Sequence, residues 1–310
     1  MSANAENKSV IALGFFDGVH RGHAELIKMA KLRAQEIGAA PAVLSFDVSP
    51  ESVITGHSVP LIGSIKTRVD LVIRLFDIKN VIIYHFDKMT MEMPWQDFID
   101  SLIEKYSAVH LVIGHDFHCG YKGEGNPTRI FEYCAKIGIG CDIIPKFTLD
   151  GVTVSSTYIR ELIANGDVEK ANYYLGHPFV FAGTVRDGRK VGRKLGTPTI
   201  NLDGDDDSLV LPKRGVYATK VLLNGEEKPA VTNIGVRPTF GESERVSVET
   251  YILDYNGDMY GDYVRIEFYK FLRDEKKFES TEELSSQIAR DIQDTREAFK
   301  YSNNVSRVVM

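Results

Sequence analysis

The sequence predicts an α/β domain followed by an all-β domain: a parallel sheet covered by helices, then a small β-barrel with a terminal helix. Three observations predict this. Across the first half, short apolar runs alternate with stretches of helical periodicity, the pattern of a parallel sheet covered on both faces. Gly176 followed by Pro178 is a helix stop signal, and the character of the chain changes there. Beyond it, short β-rich runs follow one another between turn signals, as in a small barrel. The expected domains are 1–178 and 179–310.

In chain order, residues 10–13 read as a buried strand and 24–37 as a helix. Leu26, Met29, Ala30 and Ile37 fall on one face of that helix, and Gly38 can cap it. Residues 42–46 read as a strand, 65–76 as a helix and 81–86 as a strand. A helix entered at Pro94 carries Phe98, Ile99, Leu102 and Ile103; a strand (109–113), a helix (127–136) and a short strand (142–145) follow. Helices are expected from Ser155 or Ser156 to Asn165 and over 167–175. The β-rich runs are 179–186, 215–223, 230–234, 246–253 and 263–268, with Asn224-Gly225 and Asn256-Gly257 as hairpin turn pairs. Leu284, Ile288 and Ile292 mark one face of a last helix, opened by a Ser280/Glu283 capping box.

The 310 residues suffice for two domains with a core each, and the 43% hydrophobic and 26% charged fractions are those of a soluble globular protein. The net charge of −6 gives no general attraction to nucleic acid or an anionic membrane. No apolar run is long enough to span a bilayer, and the polar residues 1–8 do not read as a secretory signal. Three cysteines, an odd and sparse set, suit a reducing cytoplasm and neither a disulfide framework nor a zinc site. The expected partners are therefore small molecules, with no nucleic acid and no membrane; weak self-association is left open.

The loop Gly14-Phe15-Phe16-Asp17-Gly18-Val19-His20-Arg21-Gly22-His23 joins the first strand to its helix, at the sheet edge where ligands bind. Its glycines allow close backbone approach, and the helix start offers free N–H groups to an anion. His20 and His23, three apart around Gly22, can donate to phosphate oxygens; the plainer alternative is a polar helix cap. The ending is not that of a Walker loop, nor does the run fit the dinucleotide glycine fingerprint. On the same edge, Asp116 in 114–120 can hold a base or ribose hydroxyl, and Phe117 can stack or pack. Ser155 or Ser156 can cap a helix in which Arg160 either reaches a phosphate with its planar fork or is a surface arginine.

A second centre lies at 188–201. Gly192, Arg193, Lys194 and Gly196 belong to a basic glycine-rich loop suited to closing on phosphates. Thr199 and Asn201, two apart in an extended segment, point the same way, and their neutral oxygens can bind magnesium or its waters. The acidic run Asp203, Asp205, Asp206, Asp207 reads as a solvated loop.

His20-Arg21-Gly22-His23 resembles the His-x-Gly-His signature of nucleotidylyltransferases. With the Gly-x-Asp-Phe loop at 114–117 and the Ser-Ser-Thr-x-Ile-Arg helix start at 155–160, it resembles the N-terminal module of the prokaryotic bifunctional riboflavin kinase/FAD synthetase family. Residues 192–201 are similar to that family's kinase signature Gly-Arg-x-Leu-Gly-x-Pro-Thr-Ala-Asn, with Ile200 for alanine, and 248–250 resembles its Val-Glu-Thr strand. The resemblance implies a Rossmann-like nucleotidylyltransferase domain and a riboflavin-kinase-type barrel. It implies catalytic roles for His20, His23 and Arg160, with Gly14, Phe15, Asp17, Gly22, Asp116 and Ser156 on ATP. It makes Glu249 the base for the riboflavin 5′-hydroxyl, with Thr199 and Asn201 on magnesium and Arg237 near the flavin or closing loops. Two segments depart from the family: Asp47-Val48-Ser49-Pro50 stands where a Pro-His-Pro-like segment is common, and Cys119-Gly120 where Phe-Gly is usual. Both lie on the flavin side of the first domain. The expected activity is cytoplasmic conversion of riboflavin to FMN and of FMN to FAD, each with ATP. A kinase with a weak FAD-forming half, or a flavin-binding regulator without turnover, are the alternatives.

Overall fold

The computed structural model describes residues 8–187, 197–223, 225–237 and 245–302. These fall into two compact units, one of residues 8–59 and 65–155, the other of 60–64 and 156–302.

In the first unit, β1 (Ser9–Leu13), β2 (Ala40–Phe46), β3 (Asn80–Tyr84), β4 (Ala108–Gly114) and β5 (Gly140–Ile144) form one sheet in the order β3-β2-β1-β4-β5. Every pairing is parallel. β1 is buried along its whole length, as an apolar run between two neighbours should be. The chain leaves β1 toward β2 on one side and reaches β4 on the other. The loops after β1 and β4 therefore diverge at the carboxyl edge and open the crevice in which such sheets bind ligands.

α1 (Arg21–Ile37) ends at Gly38 in the left-handed conformation, as expected. Its buried stripe is Ala24, Leu26, Ile27, Ala30 and Ala34, whereas Ile37 is exposed. The small alanines let the helix lie close on the sheet, and the stripe runs out before the last turn. α3 (Ile65–Phe76), α5 (Trp95–Tyr106) and α6 (Pro127–Ile137) follow the expected pattern. Two short helices escape it: α2 (Pro50–Thr55), capped by Ser49 and ended by Gly56, and α4 (Lys88–Glu92), capped by Asp87. One or two turns are too short for an apolar period to register. β6 (Thr148–Leu149) and β7 (Val152–Thr153) make a small hairpin.

The second unit begins with α7 (Ser156–Ala164) and α8 (Val168–Leu175). β8 (Phe179–Arg186), β9 (Thr199–Gly204), β10 (Gly215–Leu223), β11 (Glu226–Arg237), β12 (Arg245–Ile252) and β13 (Tyr263–Arg273) close into a barrel in the order β10-β11-β12-β9-β8-β13. Thr219, Thr232 and Thr250, on the adjacent strands β10, β11 and β12, are fully buried and joined by hydroxyl contacts of 2.8 and 2.9 Å. α9 (Thr281–Ser302) starts with the Ser280 hydroxyl accepting from Glu283 N–H, and the Glu283 carboxylate returns to Glu279 N–H.

Two expectations change here. β10 and β11 pair with Leu223 opposite Glu226, a two-residue turn whose Gly225 has φ 85°. Asn256-Gly257 is no such turn, because β12 pairs with β11 and β9 while β13 pairs with β10 and β8. The acidic run is only partly solvated. Asp205 accepts from Ser64 Oγ (3.0 Å) and Tyr263 OH (2.5 Å), and Leu61 N–H donates to Ser208 O at 2.8 Å. Segment 60–64 is thus built into the second unit through this loop.

Candidate functional sites

At the end of β1 the chain turns through two strained residues, Phe16 (φ 55°) and Val19 (φ 45°). Phe16 is buried, and a Cβ on Gly14 would sit 3.1 Å from its ring, so the loop folds back over its own first glycine. His20 is the N-cap of α1: its Nδ1 accepts from His23 N–H at 3.2 Å, which places its ring proton on Nε2. The two imidazoles stack with centroids 3.5 Å apart. A Cβ on Gly22 would lie 3.2 Å from the His20 ring, so the glycine between the histidines leaves room for that stack.

His23 Nδ1 is buried with no protein partner. Burial, then His20, then Arg68 hold the His23 imidazole well below its ordinary pKa, so it is neutral. A buried ring nitrogen without a partner beside a helix N-terminus suits a ligand that brings both negative charge and hydrogen-bonding oxygens. Asp17 is buried in the same turn, while the Asp116 side chain is 80% exposed at the end of β4. A Cβ on Gly114 would touch Asp116 Oδ1 at 2.9 Å.

A cavity of about 640 Å³ in the same unit is lined by Phe46, Phe86, Phe98, Met91, Ile54 and Tyr121, among others. Both segments that depart from the family pattern border it. Asp47, next in the chain to the lining residue Phe46, accepts from His85 Nδ1 (2.5 Å) and from the Phe86 and Val48 N–H groups (both 2.9 Å). Burial opposes the Asp47 charge, but these bonds outweigh it and lower its pKa; the same bond raises that of His85. Cys119 lines the cavity as a thiol, pushed up to about 12 by burial and then by Cys134. Gly120 next to it has φ 73°, and a Cβ there would strike the Trp95 backbone at 2.5 Å.

Ser156 and Arg160 open the second unit on α7. The Arg160 fork donates to Pro60 O (3.0 Å), Thr157 Oγ1 (3.1 Å) and Ser156 O (3.2 Å).

The barrel carries the other site. The register sets Glu249 on β12 opposite Asn201 on β9 and opposite Asn233 on β11. Strand alternation turns Thr250 inward to the hydroxyl ladder and Glu249 outward. Glu249, Thr199, Asn233 and Tyr251 line a cleft of about 250 Å³ whose far wall holds Phe278, Leu284 and Ile288. Glu249 is half-buried there. Asn201 is 7% exposed, and its Oδ1 is buried without a partner. Thr199 lies two residues away on the same strand face.

Sequence reasoning missed Glu275, which lines the cleft. A Cβ on Gly235 would meet Glu275 Oε1 at 2.4 Å and Asn233 Nδ2 at 2.9 Å, so the carboxylate passes over that glycine close to Asn233. It also missed the pair that fixes α9, in which Arg273 donates twice to Asp291 (2.8 and 2.7 Å). Gly192, Arg193, Lys194 and Gly196 lie outside the described residues, and Arg237 is described only as the last backbone position of β11.

A crevice with a helix-capping histidine pair on a parallel sheet, followed by a barrel with a carboxylate in a cleft, defines a two-domain transferase. The chain belongs to the bifunctional riboflavin kinase/FMN adenylyltransferase family. Residues 2–158 match the family model described as FAD synthetase, and 175–299 match that described as riboflavin kinase. The bifunctional riboflavin kinase/FMN adenylyltransferase of Listeria monocytogenes is 39% identical over 94% of this chain and 92% of its own. That of Bacillus subtilis is 38% identical over 97% and 94%, and that of Escherichia coli K12 33% over 96% and 95%. A crystal structure described as a macrolide-efflux protein from Streptococcus pneumoniae superposes with a TM-score of 0.82 at 28% identity, covering 94% of each chain. Among the described residues no helix is long and apolar enough to cross a membrane.

Proposed function

We propose that residues 179–310 transfer the γ-phosphoryl group of ATP to the riboflavin 5′-hydroxyl, giving FMN and ADP, with Glu249 as the base. The observation that carries this is the register placing Glu249 beside Asn201 at the cleft. A primary alcohol must lose its proton as it attacks phosphorus, and a half-buried carboxylate at the cleft is a fitting acceptor. The apolar wall of Phe278, Leu284 and Ile288 suits a flat ring system, and Asn233 and Glu275 offer polar contacts at its edge. Thr199 and Asn201 would hold magnesium. The buried, partnerless Asn201 Oδ1 supports this, since a hard cation takes such neutral oxygens together with substrate phosphates. When bound, the ion would offset triphosphate charge. Gly192, Arg193, Lys194 and Gly196 would close on the phosphates, with Arg237 nearby.

In residues 1–178, the FMN phosphate would attack the α-phosphorus of ATP, giving FAD and pyrophosphate. The attacking oxygen is already anionic, so no base is needed. The protein's part is alignment and charge stabilisation. His20 Nε2–H, neutral His23 and the first N–H groups of α1 would bind the phosphates; for Ser156 and Arg160 a phosphate role rests on the resemblance of their helix start to the family's. Gly14, Phe15, Asp17 and Gly22 would shape the loop, with Asp116 toward the ribose or base. The 640 Å³ cavity would take the isoalloxazine, which supports a flavin site despite the two departures. We place the protein in the cytoplasm.

The test is a product assay on the full chain with riboflavin, ATP and magnesium, following FMN and FAD separately. Glu249→Gln should lower FMN formation about 10²–10⁴-fold and leave FAD formation from supplied FMN intact. FMN as the sole product of the unmodified chain would mean that the first domain does not form FAD at a useful rate. Undiminished FMN formation by the variant would remove Glu249 as the base.

A further inference from the structure

The largest buried cation of the first unit lies outside every motif. Arg68, in the first turn of α3, is 2% exposed. One guanidinium nitrogen donates to Phe15 O (2.8 Å) and Ser45 Oγ (2.5 Å), and a second donates to Phe46 O (3.0 Å). Ser45 Oγ itself donates to Phe15 O at 2.7 Å, and the guanidinium lies 4.3 Å from the centre of the Phe15 ring. These contacts join two adjacent strand ends. Phe15 follows β1 and opens the loop that leads to His20 and His23. Phe46 ends β2 and lines the 640 Å³ cavity.

A buried guanidinium is costly, and an apolar side chain would fill the same space more cheaply as far as stability goes. What an apolar residue cannot do is bind two carbonyls and a hydroxyl in one fixed plane. The charge of Arg68 also reaches His23, where it acts with burial and His20 to keep the imidazole neutral. A guanidinium does not titrate near neutral pH, so the positive field it gives this loop is constant.

We propose that Arg68 is a positioning residue for adenylyl transfer. It fixes the start of the phosphate loop against the lip of the flavin cavity, and so sets the distance between the two phosphates that must react. The proposal rests on the assignment of loop 14–23 to ATP. Misplacement of reacting groups lowers turnover more than binding. The full-length chain carries its own folding control, because its kinase activity belongs to the other domain.

The experiment compares Arg68→Met, Arg68→Lys and His23→Gln, measuring kcat and KM for FAD formation from FMN, and kinase turnover. Arg68→Met should lower kcat about 100-fold with KM for ATP and FMN changed less than about fivefold, the size of effect small misplacements have. Arg68→Lys keeps the charge without the fork and should recover part of that loss. Kinase turnover should stay within twofold of the unmodified chain. A kcat within threefold of the original in Arg68→Met, with or without a lowered melting temperature, overturns the proposal. If Arg68→Met loses kinase activity as well, Arg68→Lys decides: a tenfold or greater fall in kcat with kinase turnover intact supports positioning, and an unchanged kcat overturns it. Undiminished FAD formation in His23→Gln would instead refute the ATP assignment of the loop, whatever Arg68 does.

Discussion

Replacing Asp291 by alanine tests what fixes α9 beside the barrel cleft. Asp291 is 3% exposed and accepts three hydrogen bonds, two from Arg273 at 2.8 and 2.7 Å and one from Gln287 at 2.9 Å. Without it Arg273 keeps its bond to Asp274 O at 3.0 Å and its place 5.8 Å from the centre of the Phe278 ring. Breaking a buried ion pair by removing one partner costs about 3–5 kcal/mol. The Arg273 side chain is 23% exposed and can partly rehydrate, so the lower figure, about 3 kcal/mol, applies. For a unit of roughly 150 residues with an unfolding entropy of about 2 cal/mol/K per residue, that lowers the melting midpoint by about 10 °C. Arg273 and Asp291 both line the cleft, so riboflavin KM should rise as the wall loosens. Asp291→Asn, which keeps an acceptor but not the charge, should fall between. Calorimetry of the full chain, with kinase kinetics at 25 °C, measures both effects. A midpoint for Asp291→Ala within about 2 °C of the original would refute the reasoning, and would mean that the apolar face of α9 alone holds it in place.

Two further outcomes concern the first domain. Gly22→Ala places a methyl 3.2 Å from the His20 ring, which must give by a few tenths of an ångström and so strains its bond to the His23 N–H and its stack on His23. FAD formation should fall at least about tenfold while stability changes by under ~1 kcal/mol, because alanine's helix preference offsets the strained cap; unaltered kinetics would show that the imidazole stack is not needed. His85→Gln removes the Asp47 contact. The folded pKa of His85 is raised, so its contribution is complete below about pH 6.5 and lost as pH rises through the folded value. Asp47 is lowered, so its contribution is complete above about pH 4 and lost as pH falls through its folded value. The melting-temperature gap between the unmodified chain and the variant should be largest near pH 5.5 and absent by pH 9; a gap that grows toward alkaline pH would reverse the assignment.

Legibility in the sequence followed burial. β1, β2 and β4 were plain because strands covered on both faces read as near-continuous apolar runs, interrupted here only by Ser45 in the expected β2 and His110 in the expected β4. The histidine loop was plain because its spacing, glycines and place after a strand agree at once. Glu249 was nameable only by resemblance, since nothing local tells which strands flank β12; its meaning comes from a register with Asn201 and Asn233 across distant parts of the chain. Arg68 left a signal that went unused. Within 65–76 it shares the buried stripe with Thr67, Leu71 and Val72, and a cation on an apolar stripe calls for a partner. Asp205 was hidden by its neighbours: Asp203, Asp206 and Asp207 are exposed, and composition cannot separate the one that binds Ser64 and Tyr263.

The two domains differ in the way their chemistry demands. Riboflavin offers an alcohol, whose proton must be taken, and the barrel presents a carboxylate in a cleft with no basic side chain among its register partners. FMN offers a phosphate with no proton to lose, and the sheet domain presents donors instead: a histidine protonated on Nε2, a neutral partner and a helix N-terminus. It follows that the product of the first step is the point at which the requirement changes sign, from a site that removes a proton to one that must neutralise charge. One cleft cannot satisfy both demands, and two domains in one chain can.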